Sequence, residues 1–221
     1  MNLNKQSKDN RIYIVVAIFI IAVIIITFFL STNQLISAKI DDNVLDFLWI
    51  EDINERAYGS GFLGLEKWAS FTYKNNNNLF PAYVTVTSFK TIFVFNEFEL
   101  KNKMEETIKN SYKQGVTIDF ETKITGERTL RNGHKTLYTI YDGNYSSGLT
   151  NEKIKIIGET WNCGVSGTSI ICIGYAQITN HAHNNSEINL TYWIKIIKDE
   201  KGNFGSEYKG NDGLIFNVIC H

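Results

Sequence analysis

The sequence predicts an α+β protein in which an N-terminal transmembrane helix precedes one mainly antiparallel sheet, packed by one or two helices. Three observations support this fold class. Residues 12–30 form an uncharged apolar run, residues 97–114 carry apolar side chains at helical spacing, and the chain then alternates β-forming segments with turn sequences. We therefore divide the chain into a cytoplasmic N-terminus at 1–11, a transmembrane helix at 12–30, a juxtamembrane linker with a short helix at 31–64, and an extracytoplasmic α+β domain at 65–221.

The apolar run has the length and the flanks of a membrane anchor. It contains no charge, glycine or proline, and a helix of this length, rising about 1.5 Å per residue, matches the hydrocarbon core of a bilayer. Lys5, Lys8 and Arg11 precede the run, whereas acidic residues outnumber basic ones after it. The positive-inside rule therefore predicts a single-pass protein of the cell membrane, with its N-terminus in the cytoplasm and its domain outside. A cleaved signal peptide is the alternative, although its apolar region is usually shorter.

The segment between the anchor and the sheet is expected to contain a short helix followed by a hinge. Residues 42–58 mix helical and continuous apolar spacing, which predicts a short juxtamembrane helix, and the glycines of residues 59–64 predict a hinge. Alternation in residues 83–89 predicts the strand that opens the sheet. Asn96 and Glu99 then have the spacing of a capping box, which predicts that a helix over 97–114 begins there.

The chain beyond this helix has a β pattern. Residues 116–130 and 135–143 flank an Asn132-Gly133 pair, and Asn-Gly at the centre of a two-residue hairpin loop predicts a register with Arg128 opposite Leu137. Three more strands are predicted at 154–162, 168–179 and 189–197, and an apolar run at 214–220 closes the chain.

The stretch WNCGVSGTSIICIG, residues 161–174, contains two of the three cysteines. If Gly167 and Thr168 are the central residues of a type II′ turn, Cys163 lies directly opposite Cys172 at a distance that permits a disulfide. We therefore predict a Cys163–Cys172 disulfide, which would suit an oxidising compartment.

Other interpretations of this stretch are weaker. A structural zinc site usually draws on CxxC-like pairs, and the sequence has none. Ser166 is not favoured as a nucleophile, because the G-x-S-x-G motif requires glycine where Thr168 stands. Cys220, in an apolar run, is expected to be buried and free.

The histidines offer a second kind of chemistry. His181 and His183 are two residues apart, so an extended segment would turn both imidazoles to one side, as a metal site requires. His221 or Glu187 could add a ligand. The alternative is a solvated loop, because Asn, Ser and Glu surround the pair. His134, in a predicted turn, is expected to be a surface residue.

The charged residues indicate no catalytic pair. Arg128 is expected to form a structural ion pair with Glu127 or Glu159, and no nucleophile accompanies them. The formal net charge of −1 gives no basic surplus for nucleic acid, so nucleic acid is excluded as a partner. No cofactor is predicted. Three sequons would be glycosylation sites in an exported domain, at Asn144, Asn184 and Asn189.

The order of anchor, strand and capped helix, followed by GERTLRNGHKTLYTIYDG and IGETWNCGVSGTSIICIGYAQIT, resembles a group of archaeal single-pass membrane proteins with an exported domain. A helix followed by an antiparallel meander is also similar, over roughly residues 65–200, to the PsbP/Mog1-like α+β sandwich. That second resemblance implies a non-enzymatic accessory domain and identifies no ligand residues.

These observations favour a membrane-anchored extracytoplasmic binding or assembly domain without enzymatic activity. Its partner would be an unknown protein or small ligand. The alternative is a metal-dependent exported hydrolase or redox protein that uses His181 and His183.

Overall fold

The computed structural model describes residues 16, 18–21, 23, 34–61, 65–111, 115–147, 150–181, 187–198 and 213–221. Ten strands are assigned in these ranges: β1 (Lys39–Ile40), β2 (Trp49–Glu51), β3 (Ala57–Gly61), β4 (Glu66–Asn75), β5 (Ala82–Thr91), β6 (Val116–Thr129), β7 (Lys135–Ser147), β8 (Thr150–Cys163), β9 (Thr168–Gln177) and β10 (Val218–Ile219). Two α-helices accompany them, α1 (Glu97–Asn110) and α2 (Thr191–Ile197), together with short 3₁₀ turns at Asp42–Val44, Ile53–Glu55 and Ile215–Asn217.

Eight strands form one antiparallel sheet. Its order is β2-β4-β5-β9-β8-β7-β6, with β3 also paired to β4, and β1 with β10 forms a separate two-stranded ladder. The strands β8 and β9 lie in the centre, and their side chains are buried on both faces of the sheet. Buried and exposed residues alternate less regularly along the outer strand β6, and the register of its pairing with β7 shifts between Asp119 and Ile124.

Each face of the sheet has its own apolar core. We call the face under α1 the helix face; its core joins α1 to β8 and β9 through buried residues such as Met104, Ile156 and Ile171. We call the other the C-terminal face, because α2 and residues 213–220 cover it, packing on residues such as Phe71 and Ile170. A central sheet that is covered on both faces explains why β9 is a nearly continuous apolar run from Ile170 to Ala176.

Helix α1 forms where the sequence predicts it. The Asn96 side chain accepts a hydrogen bond from the Glu99 backbone N–H at 2.9 Å, and the Glu99 carboxylate accepts one from the Asn96 N–H at 3.0 Å. This capping box satisfies two of the free donors at the helix start. The helix then lies close to β8 at Gly158, where a Cβ atom would lie 2.7 Å from Met104 Cγ and 2.8 Å from Ile108 Cδ1. The prediction for this helix is confirmed over 97–110, and Tyr112 lies outside the described residues.

The predicted fold class was wrong in two respects. About half of the described residues lie in strands and the helices are few and short, so the protein is sheet-rich rather than a balanced α+β fold. Among those same residues, the structure contains no helix that is long and apolar enough to cross a bilayer, so the predicted transmembrane helix and single-pass signal-anchor lack support there. Within the predicted span at 12–30, only residues 16, 18–21 and 23 are described, and they are helical.

Two segments adopt a different secondary structure from the one predicted. Residues 42–58, predicted as a helix, form two 3₁₀ turns and the short strands β2 and β3. The Asp41 and Asp52 side chains accept hydrogen bonds from backbone N–H groups two residues later, and these bonds cap the two 3₁₀ turns. Residues 59–61 of the predicted hinge belong to β3. Residues 191–197, predicted as a strand, form α2, in which Trp193, Ile196 and Ile197 are buried.

Candidate metal centre

The turn between β8 and β9 is longer than predicted. Cys163 pairs with Thr168 across a four-residue loop, and Gly167, with a φ of 61°, is the last loop residue rather than the first central one. Cys172 therefore pairs with Glu159, four residues before Cys163 on the same strand. Four residues of strand span roughly 13 Å, whereas a disulfide needs Cα atoms within about 7 Å. The predicted Cys163–Cys172 disulfide was therefore wrong, and all three cysteines are free and buried.

The turn between β6 and β7 is also shifted. Arg128 pairs with Thr136 rather than Leu137, because the loop contains three residues and ends on Gly133 with a φ of 85°. A shift of one residue turns every side chain to the opposite face. It places the next residue, His134, beside the C-terminal segment of the chain.

Hydrogen bonds fix this contact between the β6–β7 turn and the segment around β10. The Arg131 N–H donates to the Phe216 carbonyl at 3.1 Å, and the Asn132 side-chain amide donates to the Val218 carbonyl at 2.8 Å. Because β10 is held at this position, Cys220 and His221 lie over the end of β8, where Cys163 is the last residue.

Four metal-binding side chains meet at this point: His134, Cys163, Cys220 and His221. Their ligand atoms all lie within 4.8 Å of one another. Cys220 Sγ lies 3.2 Å from His134 Nε2 and 3.6 Å from His221 Nδ1, and Cys163 Sγ lies 3.5 Å from His221 Nδ1. The two imidazole rings are perpendicular, with an interplanar angle of 90°.

These separations match tetrahedral zinc. Zn–S bonds of about 2.3 Å and Zn–N bonds of about 2.0 Å, at a tetrahedral angle, separate sulfur from nitrogen by roughly 3.5 Å. The three sulfur–nitrogen distances of 3.2, 3.5 and 3.6 Å lie close to this value. The three sulfur–nitrogen distances of this Cys₂His₂ donor set therefore suit one tetrahedral ion.

The pKa values of Cys163 and His134 favour metal binding, whereas Cys220 must lose a proton to become a ligand. Burial raises the pKa of the Cys163 thiol, but hydrogen bonds from Cys220, Ser166 and His221 outweigh it and bring that pKa down to about 7. Burial and the neighbouring Cys163 raise the pKa of Cys220 to about 12. Burial, followed by the charge of His221, lowers the pKa of His134 and keeps its imidazole neutral. The cluster thus offers one thiolate near neutral pH and a neutral imidazole, the forms that bind zinc.

Groups around the cluster are placed to support thiolate ligands. The backbone N–H of Ser166, in the loop after Cys163, lowers the pKa of that cysteine. The indole N–H of Trp161 lies close enough to Cys220 to lower its pKa, yet it is fully buried and makes no hydrogen bond of normal geometry in the described structure. A buried donor without a partner is costly, and a metal-bound thiolate beside it would accept its hydrogen bond.

The other predicted site residues lie elsewhere. His181 follows β9, at the opposite end of that strand from the cluster, and the buried Glu152 carboxylate accepts hydrogen bonds from its backbone N–H at 2.9 and 3.1 Å. The Glu152 carboxylate also lies 3.0 Å from His181 Nδ1, so this histidine has a structural partner. His183 and Asn184 lie outside the described residues, and Glu187 is exposed. The fourth predicted candidate, His221, belongs to the Cys₂His₂ cluster instead.

The remaining sequence predictions have mixed outcomes. The Arg128–Glu159 ion pair is confirmed as a fully buried pair, with Arg128 Nη2 2.5 Å from Glu159 Oε2. Of the predicted sequons, Asn144 lies half-buried within β7, and Asn189 precedes α2 and accepts a hydrogen bond from the Thr191 N–H. Their glycosylation stays a prediction.

Sequence patterns gave little warning of the cluster. Its ligands lie in a turn, at a strand end and in the closing run, without the CxxC or HxxxH spacing by which zinc sites are usually recognised. The available signal was compositional: the chain has only three cysteines and four histidines, and Cys220 is directly followed by His221.

No family model, curated protein or solved structure matches this chain. The fold and the cluster define its class: a two-faced antiparallel sheet whose C-terminal cover carries a Cys₂His₂ site.

Proposed function

We propose that this chain is a zinc-binding domain in which the metal is structural, and that the domain acts by binding rather than by catalysis. The observation that carries the proposal is the convergence of two sulfur and two nitrogen ligand atoms within 4.8 Å of one another. Two thiolates and two imidazoles are a donor set that selects zinc over magnesium or calcium, which prefer oxygen ligands.

The number of ligands favours a structural role over a catalytic one. Catalytic zinc usually has three protein ligands and an open position for water, whereas four protein ligands complete a tetrahedron. Both sulfurs belong to residues that are only 1% exposed, so water has little access from that side. The chemistry of the site supports a non-enzymatic domain.

The metal would fasten the cover of the C-terminal face to the sheet. Its ligands come from the β6–β7 turn, the end of β8 and the two residues after β10. One ion would therefore join three segments that are distant in sequence, and the loops that it closes in the unfolded chain add to its stabilising effect. With free zinc about a thousandfold above its dissociation constant, the free energy of unfolding should rise by about 4 kcal/mol.

The test is metal content and metal spectroscopy of the whole chain, purified without a histidine tag or chelator. We expect one equivalent of zinc by elemental analysis. Replacement by cobalt(II) should give the visible ligand-field bands of a tetrahedral ion and a near-ultraviolet thiolate-to-cobalt charge-transfer band. Cys163→Ser and Cys220→Ser should each remove the charge-transfer contribution of one sulfur and lower the zinc stoichiometry.

The chain offers matched controls for these variants. Cys172 is a buried free cysteine on the same face and lies outside the cluster, so Cys172→Ser should keep its zinc. His181→Ala tests the alternative histidine site in the same way. A protein that contains no metal after zinc addition, or a cobalt spectrum that Cys220→Ser leaves unchanged, would overturn the proposal. Stoichiometric metal that depends on His181 would support the metal-dependent hydrolase or redox protein instead.

A second variant tests the surroundings of the metal separately from its ligands. Trp161→Phe keeps an aromatic side chain, although a smaller one, and removes the N–H that faces Cys220. Loss of a hydrogen bond to a ligand typically lowers metal affinity 10–100-fold. We expect this fall in a chelator competition, with one equivalent of zinc still bound at saturation.

A further inference from the structure

A cleft on the helix face is built to receive a small molecule, and it is independent of the metal cluster. It lies between α1 and the sheet and has a volume of about 330 Å³, near the lower end of the range of about 300–1,000 Å³ that is typical of ligand sites. Its floor consists of side chains from β5, β9 and β8, and its wall is the last turn of α1, namely Thr107, Ile108, Asn110 and Ser111.

The cleft exists because α1 covers only part of the helix face. The helix lies against β8 at Gly158, where the missing side chain permits close approach. The strand β5, on the other side of β9, carries Thr85 and Thr87 on the same face, and both residues remain half-buried. Space therefore opens beside the helix, above β5 and β9.

Aromatic side chains bound the cleft at both ends. At one end Tyr83 and Tyr175 are stacked, with ring centroids 4.7 Å apart and an interplanar angle of 9°. At the other end Phe89 meets Phe95 edge to face at 6.0 Å, and Lys103 Nζ lies 4.5 Å from the centre of the Phe89 ring. Aromatic rings at both ends and aliphatic side chains on the floor favour a flat, apolar ligand.

The polar groups of the cleft favour an occupant that is uncharged and accepts hydrogen bonds. The residues that line it are apolar, hydroxyl-bearing or amide-bearing, and none carries a charge. Lys103, at its edge, already lies over the Phe89 ring and 3.9 Å from the Glu66 carboxylate, so a charged ligand would lose its hydration for little gain from a counter-charge. Thr85 and Thr87 already share hydrogen bonds with Thr72 and Ser70 across the strands, at 3.2 and 3.0 Å.

The two tyrosine hydroxyls, in contrast, can donate to a ligand. Within the described ranges, neither hydroxyl bonds to another group of the protein, although the backbones of Tyr83 and Tyr175 pair in the β5–β9 ladder. Burial raises the pKa of Tyr83 to about 12 and that of Tyr175 still further, so both hydroxyls stay protonated and can donate.

We propose that this cleft binds a small, uncharged aromatic carbonyl compound of one or two fused rings, whose rings lie between the aromatic ends and whose carbonyl oxygen accepts a hydrogen bond from Tyr83 or Tyr175. The ligand is held without covalent chemistry. It contacts β5, β9 and α1 and leaves the C-terminal face untouched.

The test is a titration of the whole chain with 7-methoxycoumarin, an uncharged bicyclic carbonyl compound that can be followed by its fluorescence. We expect saturable binding with a dissociation constant at or below about 1 mM, as suits a ligand of this size. Two comparison ligands define the chemistry: 2-methoxynaphthalene lacks the carbonyl, and 1-naphthoate is charged. Both should bind more weakly than the coumarin.

Matched variants locate the site. Thr87→Trp fills the cleft and should lower affinity at least about tenfold, whereas Thr117→Trp, on an exposed position of β6, should leave it unchanged. If Thr87→Trp fails to fold, judged by circular dichroism and urea unfolding, Thr107→Trp on the helix wall replaces it. Tyr83→Phe or Tyr175→Phe should weaken the coumarin about fivefold, the value of one hydrogen bond, and leave 2-methoxynaphthalene unaffected.

Three results would overturn the proposal. They are the absence of saturable coumarin binding, equal affinity for the charged naphthoate, and binding that survives both cleft-filling variants. Each can occur whether or not the protein holds zinc, so failure of this proposal and failure of the metal proposal are distinguishable.

Discussion

The buried ion pair between β6 and β8 should be the costliest single interaction to break. Arg128 Nε lies 2.8 Å from Glu159 Oε1 and Arg128 Nη2 lies 2.5 Å from Glu159 Oε2, and both side chains are 0% exposed. Arg128 also donates to the Ile197 carbonyl of α2 at 2.6 Å, and the Thr136 hydroxyl donates to the Glu159 carboxylate at 2.5 Å. The pair therefore connects the sheet to its cover on the C-terminal face.

Replacing only the arginine should destabilise the protein strongly. Arg128→Met leaves the Glu159 carboxylate buried with its counter-charge removed, which typically costs about 3–5 kcal/mol. That is a large share of the 5–15 kcal/mol by which domains are usually stable. The measurement is urea unfolding of the metal-loaded chain, followed by tryptophan fluorescence.

A double variant and a surface control separate charge burial from lost packing. Arg128→Met combined with Glu159→Met removes both charges, and it should recover most of the loss, because a buried pair is often no more stabilising than apolar residues of similar volume. Lys74→Met breaks an exposed pair with Asp52 and should leave the urea midpoint nearly unchanged, because solvent screens such pairs. The reasoning is refuted if Arg128→Met costs less than about 1 kcal/mol, or if the double variant is as unstable as the single one.

Three further predictions concern packing, capping and pH. Gly158→Ala should cost about 1–3 kcal/mol in urea unfolding, because its Cβ would overlap Met104; an unchanged midpoint would mean that α1 lies farther from β8. Asn96→Ala should cost about 1 kcal/mol and Asn96→Ser much less, since serine can also cap α1; equal losses would contradict the capping role. Zinc affinity should fall about tenfold per pH unit as the pH drops from 9 to 7, because Cys220, with a pKa of about 12, must release its proton to bind the metal. Below pH 7 the fall should be steeper, because Cys163, with a pKa of about 7, must then release a proton as well. A chelator competition across this range measures the slope, and a flat profile would argue against thiolate ligands.

Local interactions explain which elements the sequence could predict. The Asn96 capping box and the four-residue spacing of Leu100, Met104 and Ile108 determine α1, and they appear unchanged in the structure. The strands β5 to β9 were also found, because alternation and turn residues are local signals. The ion pair of Arg128 with Glu159 was anticipated as one of two options.

The errors arise where tertiary contacts decide. Gly133 and Gly167 mark the turns of the β6–β7 and β8–β9 hairpins, but neither glycine specifies how long its loop is. Each error in loop length changes which residues lie opposite one another. Residues 191–197 are apolar enough for a strand, but their position over the C-terminal face selects a helix that buries Trp193 and Ile196. The metal cluster could not be predicted because His134 meets Cys220 only after the chain has folded.

The strand order divides the sheet into two halves that are each consecutive in sequence. The strands β2 to β5 form one half, in which β2 and β3 both pair with β4, and β6 to β9 form the other. Among the described strands the halves pair along the β5–β9 ladder, where residues such as Ala82 and Ala176 are opposite each other. The floor of the cleft lies on this ladder, with Tyr83 from one half stacked on Tyr175 from the other. A molecule bound there would hold the two halves together, so occupancy of the cleft should appear as slower hydrogen exchange along β5 and β9, while the edge strands exchange as before.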